Sequence, residues 1–154
     1  MTFRIFVFSD SHRYVRNMYA AMEDGKPDLV LHLGDMLRDA EELSYAYPQQ
    51  SIVMVPGNCD GWTTQPLQKL LDIQGKKLLL SHGHIWQVKS GYETALAAAR
   101  QQGADLVLFG HTHRAHCVQE PDGLWVLNPG AARDSYGVVT IDGSGMRCEI
   151  VSFR

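Results

Sequence analysis

Cysteine is scarce in this chain: three residues in 154, at Cys59, Cys117 and Cys148. An odd number at wide spacing argues against a disulfide framework, and the lack of any CxxC pair leaves no thiolate site for structural zinc. A charge excess is missing too. With 14 basic and 17 acidic residues the formal net charge is −3, which gives no support to nucleic acid as a partner. Lys76-Lys77 reads as a solvated strand start rather than a binding patch. No apolar run approaches the roughly 20 residues of a bilayer span, so no membrane contact is expected. The first residues, Met1 to His12, enter a strand pattern directly, without a charged leader, an apolar signal core or a small-residue cleavage site. A reducing, cytoplasmic location is the resulting expectation. Linkers, low-complexity tracts and internal repeats are absent as well. What remains is an ordinary globular balance, 45% hydrophobic and 20% charged, in a length that suits one domain over residues 1–154 with a real core. Homo-oligomerisation stays open.

Hydrophobic runs and breakers predict the elements. Strands are expected at Phe3–Phe8, Leu29–Leu33, Ile52–Val55, Lys76–Leu80 and Ala104–Phe109. Helices are expected around Met18–Met22, at Asp39–Tyr47 before Pro48, and at the alanine-rich Tyr92–Gln102, which ends at Gly103. A short helix is expected at Pro66–Leu71, with proline near its first turn. The segment Asp72–Gln74 is expected to pair with the Lys76 strand across Gly75. After His113 the pattern turns to strands, at His116–Glu120, Leu124–Leu127, Gly137–Ile141 and Arg147–Phe153, joined by tight turns at Pro121-Asp122-Gly123 and Asp142 to Gly145. This order fits a layered α/β domain with two sheets in the middle.

Five polar clusters each follow a hydrophobic run: Asp10-Ser11-His12, Gly34-Asp35, Gly57-Asn58-Cys59-Asp60, Ser81-His82-Gly83-His84 and Gly110-His111-Thr112-His113. Taken singly, such histidines are more often surface or core residues, and Asp10, Asp35 or Asn58 would serve equally as cap or turn residues. Their recurrence at strand ends is what chance explains poorly, because ligands in α/β sheets bind beyond the carboxyl ends of strands. Carboxylate, imidazole and amide oxygens in one site suit borderline or hard divalent ions. The candidate ligands are Asp10, His12, Asp35, Asn58, His82, His111 and His113, too many for one ion and suited to two that share a carboxylate. His32 and His116 lie in or beside strand patterns and read as structural, as do Cys117 and Cys148. His84 keeps three readings: substrate contact, support for the ligands, or solvent exposure.

In this order the clusters resemble the D-x-H, GD, GN, GH and GHxH pattern of the calcineurin-like metallophosphoesterases. The motifs run from Asp10 to His113, and Asn128-Pro129-Gly130 in the tail is also similar. The small size and Gly57-Asn58-Cys59-Asp60 resemble the compact single-domain phosphodiesterases of bacteria and archaea. The resemblance implies a four-layer αββα sandwich, two mixed β-sheets flanked by helices. It implies one ion held by Asp10, His12, Asp35 and His113, and a second held by Asp35, Asn58, His82 and His111, with Asp35 shared. Manganese is the implied metal, with zinc, iron, nickel and cobalt as alternatives. The implied reaction is hydrolysis of a small phosphodiester by in-line attack of a metal-bridging hydroxide, with Asp35, Asn58, Cys59 and His82 as the catalytic set.

Two departures bear on specificity. Many phosphatases of the family carry histidine after the asparagine of the third motif, where it assists the leaving group. Here Cys59 stands there, and a thiol with an unperturbed pKa of about 8.5 is a poor substitute. This favours diesters over monoesters, with Asp60 as a partial compensation. Ala131 stands where relatives often have serine. The alternatives are a phosphomonoesterase on the same site and a non-enzymatic scaffold like the retromer subunit of this fold, in which the metal site is impaired.

Overall fold

The computed structural model describes residues 1–153. Among these residues ten strands form two five-stranded mixed sheets. The first sheet takes β1 (Phe3–Phe8), β2 (Leu29–His32), β3 (Ile52–Met54), β9 (Ser135–Asp142) and β10 (Gly145–Ser152), in the order β10-β9-β1-β2-β3. The second takes β4 (Gln68–Ile73), β5 (Lys76–Ser81), β6 (Leu106–Leu108), β7 (His116–Gln119) and β8 (Trp125–Asn128), in the order β4-β5-β6-β8-β7.

Strand β1 shows why the sheets stack. Its side chains alternate between faces, yet all four of Ile5, Phe6, Val7 and Phe8 are buried, so both faces must be covered. Ile5 and Val7 join Leu31 and Val139 against Leu78, Leu80, Leu106, Leu108 and Leu127 of the second sheet, which is the central core. Phe6 and Phe8 point the other way. They pack with Val30 against Met18, Ala21 and Met22 of α1 (Arg16–Gly25) and Leu43 of α2 (Leu37–Ala46). Burying such a phenylalanine stabilises by about 1.5–3 kcal/mol. On the far side, Ala95 and Ala99 of α3 (Glu93–Gln101) lie with Trp86 and Val88 against Leu79, Val107, Phe109 and Val126. The layering is therefore helix, sheet, sheet, helix, as the sequence predicts.

Of the segment predicted as a helix at Pro66–Leu71, Gln68 to Leu71 instead belong to β4, which pairs antiparallel with β5 from Gln68↔Ser81 to Ile73↔Lys76; the expected pairing of Asp72–Gln74 with the Lys76 strand across Gly75 holds for Asp72 and Ile73. The hairpin turn decides this. Gln74 and Gly75 both adopt positive φ, 52° and 81°, the two-residue turn whose twist suits antiparallel strands. The ladder then runs back through the residues after Pro66, and Leu71 and Ile73 reach the central core. Local helix propensity loses to that pairing. Among the described residues no helix is long and apolar enough to cross a membrane.

Candidate metal centre

Five loops leave the carboxyl ends of strands β1, β2, β3, β5 and β6 and meet at one end of the seam between the sheets. Asp10 and His12 follow β1, Asp35 follows β2, and Asn58 and Cys59 follow β3. His82 follows β5, and His111 and His113 follow β6. Backbone bonds fix these loops to one another. The Asp10 amide donates to the Gly34 carbonyl at 2.9 Å, and the Gly110 amide to the His82 carbonyl at 2.8 Å. Gly57 and Gly110 are required by close approach. A Cβ on Gly57 would stand 2.0 Å from Asp35 Oδ1, and one on Gly110 2.0 Å from Ser9 Oγ and 2.5 Å from Asp10 Oδ2.

The loops hold their residues in an uncommon conformation. Asp10, His12, Asp35, His111 and His113 have φ of 54°, 44°, 47°, 72° and 62°. Non-glycine residues seldom adopt this left-handed region, although Asp and His tolerate it better than most. Strain of this kind concentrates where geometry serves function.

Asp10 is the centre of the cluster. Its Oδ2 accepts hydrogen bonds from Ser9 Oγ at 2.6 Å and from the His111 amide at 3.0 Å. Its Oδ1 is buried and has no aligned donor. Around that oxygen stand His113 Nε2 at 3.1 Å, His82 Nε2 at 3.7 Å and His12 Nε2 at 3.9 Å. Asp35 Oδ1 accepts from the Cys59 amide at 2.9 Å, while Oδ2 faces His82 Nε2 at 3.4 Å and His12 Nε2 at 3.7 Å. His82 donates its Nδ1 proton to the Leu33 carbonyl at 2.8 Å, which turns Nε2 toward both carboxylates. His111 Nδ1 lies 3.2 Å from His82 Nε2.

Two groups have the spacing of metal ligands: Asp10, His12 and His113, and Asp10, Asp35 and His82. They share Asp10, and Asp35 Oδ2 also lies within 3.7 Å of an imidazole of each group. His111 adjoins the second group through His82. Asn58 and Cys59 are exposed at the rim, with Asn58 Nδ2 3.7 Å from Cys59 Sγ. His84 is half-buried, its ring 5.6 Å from that of His82 and its Nδ1 buried without a partner. Of its three readings, plain solvent exposure drops out.

Charge follows the geometry. Burial pushes the Asp35 carboxyl up, but His82 and the Cys59 amide together outweigh it and hold the group well below the usual carboxylate range. Burial pulls His82 down, and Asp35 with Asp10 more than reverses that, leaving it raised. Burial lowers His84 and His111. The neighbouring Asp35 carboxylate pushes the Cys59 thiol up, so it stays protonated near neutral pH. A buried carboxylate oxygen without a donor, facing imidazole nitrogens, fits a divalent cation, and hard oxygen with borderline nitrogen is a donor set such ions accept.

Several residues brace the site through contacts that the sequence does not announce. Asp60 is a clamp rather than a substitute acid: its Oδ2 accepts from the Gly57 and Asp35 amides at 2.7 and 2.9 Å, and its Oδ1 from the Leu37 amide at 2.7 Å. Asn128 donates to the Gly110 carbonyl at 3.1 Å and to Thr112 Oγ1 at 2.9 Å, bracing the GHxH loop. His32 accepts the Gly34 amide on Nδ1 at 3.1 Å, so its proton sits on Nε2, 3.0 Å from Ser11 Oγ. Ser11 in turn donates to the buried Asp39 at 2.7 Å.

Burial pushes His32 down to about 4 from 6.5. The folded state therefore keeps it neutral while the unfolded chain takes up a proton below pH 6.5. Its contribution is complete above that value and is lost as the pH falls toward 4. Between pH 7.5 and 5 the loss comes to about 2 kcal/mol. Urea midpoints of metal-free protein should show it, and His32→Asn, which keeps an acceptor for Gly34, should flatten the slope by that amount. Equal slopes in the two proteins would rule this out.

The family model of the calcineurin-like phosphoesterase superfamily domain matches residues 3–144. The "Probable metallophosphoesterase YsnB" of Bacillus subtilis is 29% identical over 148 residues, 90% of this chain and 84% of that protein. A predicted phosphoesterase from Streptococcus pneumoniae superposes with a TM-score of 0.78 at 26% identity, covering 99% of this chain and 90% of the other. Wild-type Vps29 from Entamoeba histolytica, solved in complex with zinc, has a TM-score of 0.74 at 21% identity, with 98% and 99% covered.

Proposed function

Because the chain belongs to the calcineurin-like phosphoesterase superfamily, we propose that it is a metal-dependent phosphodiesterase with a dinuclear centre. Asp10, His12, Asp35 and His113 hold one ion, and Asp35, Asn58, His82 and His111 the other. Manganese is the first choice of metal. The observation that carries the reading is Asp10 Oδ1, buried without a donor and faced by three imidazoles. Divalent ions held there supply Lewis-acid charge to phosphoryl oxygens and acidify a water near neutral pH.

The chain's own groups do the rest. Asp35 stays ionised and available to both imidazole sets. His82 keeps its Nε2 turned inward through the Leu33 carbonyl. Asp60 holds the Asp35 and Gly57 loops in register. Fold alone does not distinguish an enzyme from a scaffold, since Vps29 shares it. The complete ligand set favours hydrolysis.

The test is a hydrolysis screen of protein reconstituted with manganese. Bis(4-nitrophenyl) phosphate should be cleaved, 4-nitrophenyl phosphate much more slowly, and neither in excess chelator. Cleavage that persists in chelator, or a preference for the monoester, would refute the reading. Cys59 sets the preference, because a raised thiol pKa leaves little proton donation to an alkoxide. Cys59→His should therefore increase the monoester-to-diester ratio of kcat/KM by roughly tenfold or more, with metal content held equal. An unchanged ratio would remove position 59 from the leaving-group side.

A further inference from the structure

A cavity of about 310 Å³ opens directly beside Asp10, His12 and His113. Tyr14 and Arg133 also line it. The volume lies at the lower end of small-molecule sites, about 300–1,000 Å³. That leaves space beyond a single phosphoryl group.

Arg133 lines this cavity and is little engaged elsewhere. Its one ion pair among the described residues is a 3.9 Å contact with Asp134, and its side chain is 70% exposed. Arg13, the other nearby arginine, is already engaged by Asp39 at 2.8 Å and Glu42 at 2.6 Å. The backbone carrying Arg133 is fixed to the metal loops. The Ala132 amide donates to the carbonyl of Ser9, next to Asp10, at 2.9 Å. Asn17 Nδ2 donates to the Arg133 carbonyl at 2.8 Å. The Asp134 and Ser135 amides both return to the Ala131 carbonyl, at 2.9 and 3.1 Å. From this fixed backbone the guanidinium can offer a planar pair of donors to the cavity, the geometry that phosphate oxygens match. Tyr14 adds an aromatic wall with a hydroxyl.

We propose that Arg133, with Tyr14, forms a subsite for a second phosphate group, so that the preferred diesters carry a further phosphate close to the scissile one. The inference rests on the phosphodiesterase reading for its substrate, but not for its binding test. A second basic groove, lined by Lys89 and Arg114, opens on the His111 side. No carboxylate or imidazole of the cluster lines it, so Arg114 serves as the comparison.

The experiment is calorimetric titration of manganese-loaded protein with thymidine 3′,5′-bisphosphate and with thymidine 3′-monophosphate. The bisphosphate should bind about tenfold more tightly, the worth of one charge-assisted contact at an exposed site. Arg133→Ala should bring that ratio to within twofold of unity, Arg133→Lys should retain part of it, and Arg114→Ala should leave it intact. Equal affinities in the natural protein, a ratio unchanged by Arg133→Ala, or a ratio lost in Arg114→Ala would each overturn the subsite. Hydrolysis of bis(4-nitrophenyl) phosphate by the same preparations reports separately on the phosphodiesterase reading. Binding selectivity without diester cleavage would reject that reading and leave the subsite standing.

Discussion

Asp35→Asn should lower diester hydrolysis by about a thousandfold or more, which is roughly 4 kcal/mol of transition-state stabilisation. Like Asp10 Oδ1, its Oδ2 faces imidazoles of both groups, His82 at 3.4 Å and His12 at 3.7 Å. The amide keeps the shape and loses the charge. Metal content, measured by elemental analysis after equilibration at limiting manganese, should fall from nearly two ions per chain. His84→Ala should cost much less, about tenfold, because that ring lies 5.6 Å from the His82 ring and belongs to neither ligand group. Equal losses in folded proteins of equal metal content would move His84 into direct contact with substrate and count against the role given to Asp35.

Gly110→Ala is the second severe change. The added methyl would meet Ser9 Oγ at 2.0 Å, Asp10 Oδ2 at 2.5 Å and Ser9 Cβ at 2.8 Å. None of these atoms can withdraw freely, since Ser9 and Asp10 are buried and bonded to each other. The loop must shift, and overpacking of this kind costs about 1–3 kcal/mol. Because the displaced group is Asp10, manganese affinity should fall at least tenfold along with stability. Gly143→Ala, in open space with an ordinary φ, should change neither. Urea unfolding and metal titration of the three proteins decide the matter, and a Gly110→Ala protein of natural affinity would show that the loop yields without moving Asp10.

Much of this was legible in the sequence because the chemistry is repeated at one kind of place. Asp10, Asp35, His82 and His111 each follow a buried strand, and a parallel strand delivers its next residue to the same edge as its neighbours. The central strands read plainly for a related reason: β1 is apolar at successive positions because both faces are covered. The end of strand β4 was legible from the turn at Gly75, but its first residues were not, because Pro66 imitates a helix start. Asp60 and Asn128 were not legible as braces. Their partners are backbone groups of Asp35, Leu37 and Gly110, which no side-chain pattern announces.

The seam between the sheets gives the centre a mechanical consequence. Asp10, His12 and Asp35 hang from one sheet, and His82, His111 and His113 from the other. A cation bound among them is a rivet through the two halves of the sandwich. Binding confined to the native state adds about 2.7 kcal/mol at a hundredfold excess over Kd. Metal supply would then govern how long the folded chain survives proteolysis.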